Sequence, residues 1–189
     1  MARVPYVQTA QAHPEVQGIF AKIEANGARI LNLYRVVAHS PFAAPHFIRL
    51  GSSLLARSEL SPKLRELAIL RIARLSRSAY EWTQHVPVAR EAGVTEAQIK
   101  AMTRWKSSSA FSDEERAVLQ YTDEATRSVQ VSDATFNALR KYMDDRRIVE
   151  LVLSVGYWGM IARTLVPLQV DIDALGEGKD LMGRRTGKT

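Results

Sequence analysis

Three times between residues 78 and 115 the chain repeats one figure, a hydroxyl residue followed three places later by a long acid or amide: Ser78-Ala-Tyr-Glu81, Thr95-Glu-Ala-Gln98 and Ser112-Asp-Glu-Glu115. In this figure the hydroxyl accepts from a backbone N–H three residues on, and the acid or amide reaches back to the first residue's own N–H. Each copy therefore marks a helix start. Ser61-Pro62 adds a fourth start, a capping serine with proline at the first helical position. Ser132 or Asp133, and Asp144 or Asp145, supply two more. Apolar residues recur at helical spacing between these marks. The pattern predicts helices over about 14–39, broken near Asn26-Gly27, then 44–56, 62–75, 78–92, 95–105, 112–128, 132–143 and 147–165, with Pro167 near the last end. No segment carries a convincing strand pattern, so the expected fold class is all-α.

The length, 189 residues, fits one domain with tails: an N-terminal arm over 1–14, a helical domain over 15–175 and a flexible C-terminal tail over 176–189. With 46% hydrophobic and 24% charged residues the composition excludes a disordered chain. There is no cysteine, which excludes disulfides, thiolate metal sites and any thiol redox cycle run by this chain. The formal charge of +6 is dispersed, and several cations fall in the final GKDLMGRRTGKT. Without zinc-finger spacing, RNP-like aromatics or a basic region before heptads, no nucleic-acid partner is expected. No apolar run is read as approaching the ~20 residues of a membrane span, and residues 1–16 lack a signal-peptide core. The expectation is a cytoplasmic protein with no membrane partner.

One polar constellation stands out. From Glu66, the positions three, four and seven residues on are Ile69, Leu70 and Ala73, so Glu66 lies in an apolar stripe while Arg65, Arg71 and Arg74 point elsewhere. A carboxylate there needs a partner or a raised pKa, unless it sits at a rim and reaches water or an arginine. Ser78, Glu81 and His85 line one helical edge, with Trp82 on the neighbouring apolar stripe. Two readings of that edge stay open: a capping box that fully occupies Glu81, with Glu81 and His85 as a wet surface pair, or a set for proton transfer near neutral pH. The short link between helices 62–75 and 78–92 makes them an antiparallel hairpin, which brings Glu66 towards His85. His13, His39 and His46 read as structural. Glu81-x-x-x-His85 offers only two ligands, so no metal is expected, and no phosphate loop or nucleophile elbow appears. Glu66-Leu67-Ala68-Ile69-Leu70 leading to His85-Val86-Pro87-Val88 is weakly echoed by Glu150-Leu151-Val152-Leu153 leading to Leu165-Val166-Pro167-Leu168, as in a duplicated helical hairpin.

The stretch LSPKLRELAILRIARLSRSAYEWTQHVPVAREAGVTEAQI, residues 60–99, resembles the carboxymuconolactone decarboxylase family, which includes the alkylhydroperoxidase D-like proteins; with its flanks the resemblance runs from about 15 to 170. It implies an all-α bundle assembled as a homo-oligomer: dimer, trimer or hexamer. The peroxidase branch carries a glutamate, a C-x-x-C pair and a histidine. Here the glutamate falls on Glu66, the cysteines on Ser78 and Glu81, and the histidine on His85. Since the thiolate is the peroxide-reducing nucleophile, a peroxidase or peroxiredoxin label does not fit this chain's chemistry.

The decarboxylase branch needs an acid, an oxyanion cradle and a dry pocket, and no cofactor. The expectation is a cofactor-independent enzyme, carboxy-lyase-like, acting on a small organic acid or lactone by decarboxylation or isomerisation. Glu66, Glu81 and His85 are its catalytic candidates, and Ser78, Tyr80 and Trp82 its substrate-binding candidates. Arg71 or Arg74 could hold a substrate carboxylate. The rivals are a non-catalytic oligomeric small-molecule binder and a partner protein of a peroxidase.

Overall fold

The computed structural model describes residues 1–173, all helix, turn and connecting segment with no strand among them. The expected tail over 176–189 lies outside the described residues. The described residues divide into two compact units, 1–57 with 168–173, and 58–167.

In the first unit, α1 (Pro14–Ala25), α2 (Asn32–Val37) and α3 (Ala44–Ala56) bury Val16, Ile19, Phe20, Ile23, Leu33, Tyr34 and Ile48. Gly27, with φ +69°, makes the turn after α1 that breaks the 14–39 segment. His13 caps α1 by accepting from Glu15 N, and His39 Nε2 lies 2.8 Å from Pro5 O. Residues 1–7 are tied down: Arg3 N donates to Leu168 O at 2.8 Å, the Tyr6 hydroxyl to Asp171 at 2.8 Å, and Val7 N to Arg35 O at 3.2 Å.

The second unit contains α4 (Pro62–Leu75), α5 (Ala79–Glu91), α6 (Glu96–Ala101), a 3-10 turn (Met102–Ser107), α7 (Asp113–Ser128), α8 (Asp133–Arg140) and α9 (Asp145–Leu168, its last residue past the unit boundary). Thr95–Gln98 and Ser112–Glu115 form both halves of their capping boxes. Ser61 precedes Pro62 as expected, yet its side chain makes no capping bond, so the proline alone carries that start.

α4 is the central helix, packed against both α5 and α7. All ten residues from Leu64 to Ala73 are buried. This corrects the expectation that Arg65 and Arg71 point away from the core. A helix enclosed on several sides buries charge as well as stripe, so each buried charge must find a counter-charge.

The expected duplicated hairpin is absent. Residues 150–168 form part of one continuous α9, which runs through Gly156, Gly159 and Pro167. α9 also corrects the reading that no stretch approaches a membrane span. By length and composition it is sufficient, and half of that stretch is buried inside the fold.

Candidate active site

The α4–α5 link is Ser76-Arg77-Ser78, with Arg77 in the left-handed region at φ +54°. Three residues reverse the chain, and the Glu66 carboxylate meets the His85 ring: Nδ1 stands 2.8 Å from Oε2. Glu66 has no solvent exposure, and His85 is 15% exposed. The Nε of Arg65 lies 3.7 Å from the other Glu66 oxygen, close enough to offset its charge without a hydrogen bond.

α9 supplies a residue that the sequence reading missed. Trp158 Nε1 donates to His85 Nε2 at 3.0 Å, the two rings edge to face at 85°. An indole N–H only donates, so Nε2 is the acceptor and the ring proton sits on Nδ1, directed at Glu66. A doubly protonated ring would set N–H against N–H. Both nitrogens of His85 are thereby engaged. No local signal in the sequence marks Trp158, which lies 73 residues away in an apolar run.

Glu81 differs. Ser78, 2% exposed, caps α5 by accepting from Glu81 N at 3.4 Å, but the reciprocal half of the box does not form. The carboxylate is not occupied as the capping-box reading expected. Glu81 is 2% exposed, and neither oxygen has a hydrogen-bond partner. Burial pushes its carboxyl up to about 7, with the close Ser78 hydroxyl acting against the rise.

The remaining candidates are placed otherwise. Tyr80 is buried on a different side of α5 from His85. Trp82 is only half-buried and is covered by the Arg74 guanidinium, 3.4 Å from its ring centre, so it is no inner apolar wall. Arg71 is not available for a substrate carboxylate: its Nε and Nη2 both donate to Asp123, and Nη1 donates to Met102 O at 2.9 Å. Among the described residues no cluster of three His, Cys, Asp or Glu could hold a metal.

Residues 41–124 match the carboxymuconolactone decarboxylase family. Over that stretch the chain is similar to members of this family. It is 28% identical over 111 residues to the uncharacterised protein YdfG of Bacillus subtilis, an alignment spanning 56% of this chain and 76% of that one. A peroxidase-related protein of Ralstonia eutropha, an alkylhydroperoxidase AhpD core, superposes with a TM-score of 0.78 at 15% identity, over 92% of this chain and 93% of the other. The debrominase Bmp8, in complex with 2,3,4-tribromopyrrole, gives 0.74 at 19% identity over 90% and 91%. At these identities the two structures share the fold. At the two positions where the resemblance places the thiols of the peroxidase branch, this chain has Ser78, which caps a helix, and the buried Glu81.

Proposed function

We propose that this chain is a cofactor-independent acid/base enzyme acting on a small organic acid or lactone, by decarboxylation or isomerisation, with Glu81 as the proton carrier. One observation carries the reading. Glu81 is a buried carboxyl with two unpartnered oxygens, its pKa pushed up to about 7, beside an imidazole fixed by two hydrogen bonds. A carboxyl poised near neutrality is populated both as acid and as base.

In a decarboxylation, the bond to the leaving carboxylate breaks, CO₂ departs, and its electron pair passes into the dienolate. The Glu81 carboxylic acid protonates the carbon and is recharged from solvent. Glu66, His85 and Trp158 act as positioning residues that fix the local dipoles, a role distinct from the direct proton transfer first expected of His85. Thiol peroxide chemistry is not part of this reading, because the chain has no cysteine. The brominated pyrrole bound by the structurally similar debrominase supports a small planar substrate. A homo-oligomer in the cytoplasm remains part of the proposal.

A screen of lactones and 2-oxo acids for CO₂ release or isomerisation tests it. The wild type is expected to turn over at least one compound, and Glu81→Gln to lose on the order of a hundredfold in kcat or more. Wild-type turnover of nothing in the panel, or full activity in Glu81→Gln, contradicts the proposal.

A further inference from the structure

Beside the 3-10 turn a groove of about 440 Å³ opens, within the ~300–1,000 Å³ range of small-molecule sites. Arg71, Asp123 and Trp105 contribute buried groups, and Arg104, Lys106 and Arg127 are exposed around it. Lys106 and Ser107, which open the serine-rich segment after Trp105, form part of its rim.

The acids of this groove are already committed. Asp123 takes Arg71 and, at 3.4 Å, the Trp105 indole N–H. Glu124 accepts from Gln120, Thr135 and Ser132 N, and these bonds, Gln120 first, hold its carboxyl down at about 2. The cations are not committed. Arg104, Lys106 and Arg127 form no ion pair among the described residues, and Lys106 only leans over the Trp105 ring at 5.5 Å. Exposed arginines elsewhere fall into both kinds. Arg90 pairs with Glu96, Arg140 with Asp145, and Arg146 with Glu59 and Glu150, whereas Arg49, Arg57 and Arg77 form no ion pair among the described residues. What sets Arg104, Lys106 and Arg127 apart is that they surround one groove.

We propose that this groove binds a compact polyanion, a phosphate ester or a polycarboxylate, as a site separate from the Glu66–His85 cluster. Guanidinium groups grip such oxygens through paired N–H donors, and the surplus of unpaired positive charge selects a ligand with more than one negative charge.

Isothermal titration calorimetry with inorganic pyrophosphate and with citrate, at ionic strength fixed by sodium chloride, tests this on the full chain. At least one anion is expected to bind at one site per chain, and whichever binds identifies the source of the oxygens. The double variant Arg104→Gln, Arg127→Gln alters only exposed side chains and is expected to weaken binding at least about fivefold. Arg90→Gln, outside the groove, should leave it unchanged. Saturable heat with neither anion, or affinity in the double variant within fivefold of wild type, overturns the proposal.

Discussion

The second unit holds two buried polar clusters made from similar parts. At one end of α4, Arg71 meets Asp123 with an indole N–H from Trp105. At the other, Glu66 meets His85 with an indole N–H from Trp158. The first is closed: acid and cation satisfy each other in parallel bonds, with backbone carbonyls taking further donors. The second leaves work undone, because Glu81 lies buried beside it with no hydrogen-bond partner. A satisfied cluster has nothing left to offer a substrate, whereas an unsatisfied buried acid stores the protonation free energy that chemistry can use. The comparison separates a structural lock from a candidate site without reference to any relative.

The closed cluster should show the largest loss. Asp123→Asn strands the Arg71 charge in the core and is expected to destabilise the protein by about 3–5 kcal/mol in urea unfolding. A cost below ~1 kcal/mol would remove the lock from the account.

The open cluster should respond with the opposite sign. An acid whose folded pKa lies above its unfolded value binds more protons when folded, so stability falls as pH rises. For Glu81 the window runs from its ordinary 4.5 to beyond about 7. The loss for this nearly buried group is of order 3 kcal/mol at most. Glu81→Gln lacks that slope, so the variant should gain on the wild type between pH 4 and pH 8. Parallel stability curves would equate the two clusters.

Trp158→Phe bears on the proton's place more than on stability: it loses one hydrogen bond worth about 1 kcal/mol and the packing of the larger ring in a buried position. Its readout is the tautomer. Imidazole ¹⁵N shifts should move from Nδ1–H alone towards a mixture, and an unchanged pattern would mean that Trp158 does not set the proton's place.

Much of this architecture was legible from short-range chemistry. Caps at Thr95 and Ser112 placed two helix starts, and the three-residue link after Leu75 was enough to bring Glu66 to His85. Neither Asp123 nor Trp158 was legible, because their partners lie 52 and 73 residues away, and periodicity does not tell which helices meet. Glu81 was ambiguous for a different reason. Its capping figure reads the same whether the side chain folds back on the backbone or turns inward, and only packing decides.

The most direct measurement is a carboxyl titration of Glu81 by ¹³C NMR on protein labelled at the glutamate carboxyl carbons, with the resonance assigned by its loss in Glu81→Gln. The account predicts a midpoint near 7. A midpoint at the ordinary value of about 4.5 would contradict it, since a solvated carboxylate in that place could neither hold nor release a proton at neutral pH.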